Sequence, residues 1–362
     1  MKILFAGGGS LGPVTPLLAA ARVLRGKHKE AKCAWVGTAT GPEKALLEKE
    51  TTEFDYFVLP AVKLPRYPSV HWLTFPFEWL RVKHLARKLL KKIRPDVVVS
   101  AGGFTAVPLV EAAHRMRIPC ATHQLDLVPG LANRRIARKC RSVTTSFEYG
   151  RAPFGDRVSD EWIATPVRFS PDDAPSKASA LRYFHLDHEK PVVFVTGGGT
   201  GAQALNKFVS ATLDTWHKDN IQIVHTTGIG KEGTNKEKRD GYVAKPLFDP
   251  EEMLQAYAAA DLVITRGGMG ALSELASLKK AMIIVPIPHS HQEANAHAFE
   301  ERGAAVVVHQ DSPAFYDDLL TDAKLLLHTP AERTQMGKRA SAFLPTDDGT
   351  ALAERIMNIL TI

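Results

Sequence analysis

Short, wholly apolar runs alternate with stretches of helical periodicity along the first half of the chain. KILFAG, AKCAWVG, DVVVSAGG, PCATHQ and SVTTSF read as strands, and PLLAAARVLRG, EKALLEKE, VPLVEAAHRMR and ANRRIARKC as the helices between them. Strands that are apolar on both faces and separated by helices imply a parallel sheet covered on both sides. The second half begins the pattern again. PVVFVTGGGTGAQALNKFVSATL repeats the opening order of strand, glycine loop and helix, with Gly197 standing where Gly7 stood. IQIVHTTG, YVAKPLF, DLVITRGG, MIIVPIP and AAVVVH follow as strands. The prediction is an α/β protein of two Rossmann-like doubly wound domains facing a cleft, each taking its ligand at the carboxyl ends of its strands. The first spans residues 1–165 and takes back a C-terminal segment, 336–362; the second spans 166–335. The joint is expected in the Pro-, Asp- and Ser-rich stretch from Ser146 to Lys177.

Bulk composition agrees with two soluble domains: 362 residues, 44% hydrophobic and 23% charged. Three cysteines, Cys33, Cys120 and Cys140, have no metal-ligand spacing and read as reduced thiols of a cytosolic protein. No run approaches the ~18 to 20 apolar residues of a membrane span. The opening run stops at glycine too soon for a signal peptide. Charge changes the picture more. The net +7 is concentrated between Ala61 and Arg94, where nine Lys and Arg stand against Glu78 alone. There Trp72, Leu73, Phe75, Phe77, Trp79 and Leu80 immediately precede a cationic helix opened by Arg81 and Lys83. Such a segment fits either core aromatics followed by a solvated helix, or a surface that dips into an anionic bilayer. No RNA- or DNA-reading motif accompanies it, so nucleic acid is not an expected partner.

The glycine loops offer backbone N–H groups and a helix N-terminus to phosphate, although a tight strand-to-helix turn would need the same glycines. GGGSLG formally satisfies G-x-G-x-x-G, but the second strand, AWVGTATG, lacks the acid that a dinucleotide ribose requires. No G-x-x-x-x-G-K-[ST] is present, which removes a P-loop NTPase. In RGGMGALSELASLKK, Gly267, Gly268 and Gly270 precede a helix expected to begin near Ala271, placing Glu274 about a turn in. A carboxylate there can grip a ribose diol or simply complement the helix dipole. Gln292 and Asn295 share a helix face, suited to sugar hydroxyls or to an ordinary polar surface.

Taken together, GGGSLGPVTP, SAGGFTAVP, HQLDLVPGLAN, TPVR, GGGTGAQALN, RGGMGALSE and HQEANA, in this order, cover nearly the whole chain. The pattern resembles the MurG family, inverting glycosyltransferases with two Rossmann domains that add N-acetylglucosamine to lipid I to make lipid II in peptidoglycan synthesis. The resemblance implies that Glu274 holds the uridine ribose, and Gln292 with Asn295 the donor sugar. It implies that Gly198, Gly199, Thr200 and Gly201, with Arg168, cradle the donor diphosphate, and that backbone near Phe248 reads the uracil edge. Gly8, Gly9, Ser10 and Gly12 with Gly102, Gly103 and Phe104 would face the acceptor's diphosphate. The implied partners are UDP-N-acetylglucosamine, an undecaprenyl-diphosphate-linked acceptor and an anionic membrane surface, reached through Trp72, Phe75, Phe77, Trp79, Arg81 and Lys83. The implied place is peripheral, on the cytoplasmic side of the inner membrane. No tightly bound metal or other cofactor is expected, since UDP-N-acetylglucosamine is a substrate and the chain shows no acidic cage.

The acceptor-side motifs depart from the family. Its Gly-Gly-His is Leu11, Gly12 and Pro13 here, and proline has neither a titratable group nor an N–H. Its His-Glu-Gln-Asn is His123, Gln124, Leu125 and Asp126, so an amide has become a carboxylate. Its donor loop has Ser where this chain has Gly199, with Thr200 next door as the substitute hydroxyl. Asp126, with His123, is therefore the candidate general base; the alternative is that Asp126 caps the helix near LANRRIARK or fixes the loop. A transferase with another lipid or natural-product acceptor, a UDP-sugar epimerase, and a non-catalytic nucleotide-sugar binder remain the other readings.

Overall fold

In a computed structural model of the chain, the apolar runs become strands buried on both faces. Residues 1–50, 54–60, 62, 71–149, 151–199, 201–231 and 239–361 are described. They form two compact units, Met1–Arg168 with Asp347–Ile362, and Phe169–Thr346.

Unit 1 opens with β1 (Lys2–Ala6), α1 (Thr15–Lys27), β2 (Lys32–Gly37), α2 (Pro42–Leu47), β3 (Asp55–Val58) and α3 (His71–Ile93). It continues through β4 (Val97–Ser100), α4 (Ala106–Arg115), β5 (Cys120–Gln124), α5 (Leu131–Ile136), β6 (Ser142–Thr145), β7 (Glu161–Trp162) and a two-residue strand, β8 (Thr165–Pro166). The sheet order is β3-β2-β1-β4-β5-β6-β7, every neighbour parallel. Alternation along β1 divides the core. Ile3 and Phe5 pack with Leu17, Trp35, Val97 and Ile356, while Leu4 and Ala6 join Val82, Leu90, Val98 and Leu109 on the other face. Each such side chain contributes about 1.5–3 kcal/mol by leaving water.

The aromatic run and the cationic run, expected as successive segments, form the single helix α3 with Pro76 inside it. That proline removes only the bond to the carbonyl of Trp72, near the helix start where few bonds are lost.

Unit 2 contains α6 (Lys177–Tyr183), β9 (Val192–Thr196), α7 (Gln203–Lys218), β10 (Gln222–Thr226), β11 (Tyr242–Lys245), α8 (Pro250–Ala259) and β12 (Leu262–Thr265). It ends with α9 (Met269–Ser277), β13 (Met282–Ile284), α10 (His291–Glu300), β14 (Val306–Val307), α11 (Phe315–His328) and α12 (Pro330–Phe343). The parallel order is β11-β10-β9-β12-β13-β14. The chain then returns to unit 1 with α13 (Thr350–Leu360), whose Leu352, Ile356 and Ile359 enter the core beside α1. The returning segment is shorter than the 336–362 expected. Met336 belongs to the core of unit 2, and Gly337 brings α12 against the Lys279 carbonyl, so the crossing falls at Asp347.

Both sheets reverse strand order beside their first strand, between β1 and β4 and between β9 and β12. In each, the register aligns the carboxyl ends: Ala6 opposite Ser100, and Thr196 opposite Thr265. A reversal of this kind leaves a crevice outside the strand ends, the usual seat of a ligand in an open α/β sheet.

Candidate active site

At the reversal in unit 2, the loop after β12 is pressed onto the first turn of α10. A Cβ on Gly267 would lie 2.7 Å from the carbonyl oxygen of Gln292, so no larger residue permits the approach. Asn295, fully buried, closes it by donating Nδ2–H to the Gly267 carbonyl at 3.0 Å. Gln292 accepts the Ile287 N–H on Oε1 at 3.2 Å. Gln292 and Asn295 are thus brought to the glycine loop, and an exposure of 0% rules out plain polar surface for Asn295. Helix α9 begins at Met269, two residues before the expected start, with Gly268 as N-cap. Glu274 therefore lies beyond the first turn, where the helix dipole has little hold on it. Its carboxylate is 2% exposed and accepts the Tyr257 hydroxyl at 3.2 Å.

The loop after β9 stands next to it. The Gly201 N–H donates to the Gly198 carbonyl at 2.9 Å, and the Gly198 N–H to Thr196 Oγ1 at 3.2 Å. These two amides shape the turn, and α7 begins just beyond it at Gln203. Gly199 lies in the same loop, and Thr200 lies outside the described residues. Asn206 of α7 donates to the carbonyls of Thr227 at 2.9 Å and Lys231 at 3.0 Å, and its Oδ1 lies 3.1 Å from Nε2 of His225.

The Phe248 ring is core, stacked on Phe184 at 5.7 Å and Phe194 at 6.0 Å, and the expectation there concerned main chain rather than the ring. One boundary differs from the expectation. Arg168, expected with 166–335, ends the first segment of unit 1, where its carbonyl accepts from Arg22 Nη1 at 3.1 Å.

In unit 1 the loops after β1 and β4 meet. The Phe104 ring lies over Gly9, where an added Cβ would come within 2.5 Å of it. Gly103 faces the Gly8 carbonyl and Pro13. Ser10 is exposed and Gly12 half-buried at the tip. Gly102 donates its N–H to Ser100 Oγ at 2.9 Å and has φ +96° against the side chain of Asn133. The Gly9 amide points inward, to Glu43 Oε2 at 3.1 Å, and so is not a phosphate donor in this conformation.

The candidate bases separate. Asp126 sits half-buried in the loop after β5, its carbonyl held by Gln124 Nε2 at 2.7 Å and the Tyr149 hydroxyl at 3.2 Å. It does not cap α5, whose N-cap is Gly130. His123 is fully buried, with Nδ1 3.0 Å from Thr144 Oγ1 and Nε2 3.1 Å from Ser146 Oγ. Both ring nitrogens are engaged by hydroxyls, so the expectation that His123 assists proton removal is withdrawn. Burial lowers its pKa to about 3, and that of His225 to about 4.

Residues 3–145 match the N-terminal domain of glycosyltransferase family 28, and residues 192–346 its C-terminal domain. A UDP-N-acetylglucosamine--N-acetylmuramyl-(pentapeptide) pyrophosphoryl-undecaprenol N-acetylglucosamine transferase from a Nocardioides species is 32% identical over 99% of this chain and 98% of its own. The chain belongs to glycosyltransferase family 28. A transferase of the same name from Clostridium botulinum is 33% identical over 86% of each chain. MurG of Acinetobacter baumannii shares the fold with a TM-score of 0.68 at 23% identity, over 99% of both chains.

The family 28 chain sorts the aromatic residues of α3 by direction. Phe75 and Trp79 stack at 5.8 Å and pack against the core, with the Arg135 guanidinium 5.3 Å from the Trp79 ring and Lys83 Nζ 6.0 Å from it. Both, expected at the membrane surface, are half-buried, packed on the core on one side and, at Trp79, beside these cations on the other. Leu73, Phe77 and Leu80 are 74%, 75% and 62% exposed and spaced for one helix face. Arg81 is exposed too, and the Trp72 side chain lies outside the described residues. Among the described residues no helix is long and apolar enough to cross a membrane, and no cluster of three or more His, Cys, Asp or Glu could hold a metal ion.

The two buried histidines give a pH signature. From their ordinary value of 6.5 down to about 3 and about 4, the unfolded chain takes up protons that the native rings refuse. Stability is therefore expected to fall as pH is lowered through that window. By NMR, the C2–H resonances of His123 and His225 should hold their positions from pH 8 to pH 5; titration of either near 6.5 contradicts the burial.

Proposed function

We propose that this chain transfers N-acetylglucosamine from UDP-N-acetylglucosamine to the N-acetylmuramyl-(pentapeptide) pyrophosphoryl-undecaprenol acceptor, with inversion, forming lipid II. The observation that carries the reading is the meeting of the Gly267–Gly268 loop with Gln292 and Asn295 of α10 at the strand reversal of unit 2, where the same loop leads into α9 and its buried Glu274. Family membership and the names of the relatives support the same chemistry.

In this reading Glu274 accepts hydrogen bonds from the uridine ribose, a role suited to a carboxylate, which supplies only acceptors. Gln292 meets the donor sugar, and Asn295 holds the loop beside it. The β9 loop around Gly198, Gly199, Thr200 and Gly201, with the first-turn amides of α7 and the Arg168 side chain, stabilises charge growing on the departing diphosphate. Main chain near Phe248 reads the base. Unit 1 takes the acceptor, its diphosphate against the loops that carry Gly8, Gly9, Ser10, Gly12, Gly102, Gly103 and Phe104. The acceptor hydroxyl attacks the anomeric carbon opposite UDP, the sugar–phosphate bond breaks, and the hydroxyl proton passes to the Asp126 carboxylate. No metal ion is needed for these steps. Exposed Leu73, Phe77 and Leu80, continued along α3 by Arg87, Lys88 and Lys91, dock on an anionic membrane, where the lipid-linked acceptor resides.

The direct test is UDP release from UDP-N-acetylglucosamine that depends on lipid I and yields the disaccharide product. Asp126→Asn is expected to lower kcat by roughly 10²–10⁴-fold with the donor KM kept; undiminished turnover removes Asp126 as the base. On vesicles containing anionic lipid, Phe77→Ser is expected to lower the partition coefficient about tenfold, equivalent to the transfer of much of one large apolar side chain. Equal partitioning of the two proteins contradicts docking through this face.

A further inference from the structure

In unit 1 the most completely buried acid has no part in the steps above. Glu43, in the first turn of α2, is 0% exposed. Its Oε1 accepts the Thr38 N–H and the Thr38 hydroxyl, each at 2.6 Å, and its Oε2 accepts the Gly9 N–H at 3.1 Å. The Tyr56 hydroxyl, 3.5 Å from Oε1, donates to the Thr38 carbonyl at 2.7 Å. Burial first, and then the charge on Glu43, push that phenol well above its ordinary value of 10 and keep it a donor. Glycines make the room. A Cβ on Gly8 would lie 2.5 Å from Oε1, one on Gly41 2.0 Å from Oε2, and one on Gly37 3.0 Å from Cγ. The carboxylate therefore ties the β1–α1 loop to the β2–α2 loop, directly behind Gly8 and Gly9, and Tyr56 of β3 is fastened beside it to the Thr38 carbonyl.

We propose that Glu43 is the positioning residue of the β1–α1 loop: its carboxylate, not a bound ligand, fixes residues 7–13 in the shape that the acceptor meets. This rests on the reading that unit 1 takes the acceptor. A carboxylate supplies only acceptors, and the three donors aimed at it are a peptide N–H from each loop and one hydroxyl. A carboxamide at the same place turns an N–H₂ toward at least one of them. The loop then spends much of its time in other shapes, and a loop correctly formed a tenth of the time raises the apparent acceptor constant about tenfold.

The experiment compares wild type with Glu43→Gln and with Thr38→Val, which removes one donor to Glu43 together with the acceptor of the Gly41 N–H. Acceptor KM and donor KM are measured in the UDP-release assay. Amide hydrogen exchange is read in peptides covering 7–13 and 197–203 of each free protein. Glu43→Gln is expected to raise the acceptor KM at least tenfold, with the donor KM within twofold. Its exchange should quicken at least tenfold in 7–13 and stay unchanged in 197–203. Thr38→Val should show the same selectivity, with an acceptor KM raised about threefold; it carries the test if Glu43→Gln does not fold. Unchanged exchange at 7–13, or equal acceleration in both segments, overturns the proposal, since the second is what general loosening produces. If wild type turns over no acceptor, the transferase reading fails by itself, and the exchange comparison still decides the role of Glu43.

Discussion

A carboxylate withdrawn from water must be met by donors, and each unit of this chain arranges its strand ends around one such group. Leaving a buried acceptor unmet costs about 1–3 kcal/mol, more when it is charged, against a typical total stability of about 5–15 kcal/mol. Glu43 and Glu274 are 0% and 2% exposed, and the surrounding backbone is placed accordingly. In unit 1 the first glycine loop turns an amide inward to Glu43. In unit 2 the glycine loop leads into α9, which carries Glu274 to the Tyr257 hydroxyl, while Asn295 fastens the same loop to α10.

The two units share strand order and the place of their glycine loops, yet they use that place differently. Unit 1 commits the Gly9 amide to Glu43, so the loop is formed before any ligand arrives. Unit 2 spends the Gly198 and Gly201 amides on its own turn and presents the start of α7, a feature suited to a leaving diphosphate. A helix face of Leu73, Phe77 and Leu80 adds a third device on unit 1, set about half a helical turn around α3 from Phe75 and Trp79. Donor, acceptor and membrane thus have distinct surfaces in the proposed reaction.

Much of the fold was legible because parallel strands buried on both faces are written as short apolar runs, and glycines mark the turns that follow them. The repeat of strand, glycine loop and helix at Gly197 disclosed the second sheet in the same way. Less legible were partners distant in sequence. Tyr257 lies 17 residues from Glu274 and Glu43 lies 34 from Gly9, and no local spacing announces either contact. A weak signal existed for Glu43, in the glycines at 37 and 41 that precede it. His123 misled because a histidine beside a candidate base invites a catalytic reading, whereas near the carboxyl end of β5 its ring turns into the interior, between two hydroxyls. Periodicity alone could not divide α3, since alternate aromatic residues face opposite ways only once Arg135 is known to lie over Trp79. The crossing at Asp347 was hidden for a related reason: α12 is polar along most of its length, and its seat on Lys279 depends on a single glycine.

The most direct measurement of the central claim, that a uridine nucleotide is held in unit 2 by its buried glutamate, is calorimetric titration of UDP into wild type and Glu274→Gln. Wild type is expected to bind, and the variant, with its thermal midpoint kept, to bind at least about 30-fold more weakly, a difference of roughly 2 kcal/mol. No heat with wild type, or equal affinity in the two proteins, would contradict it.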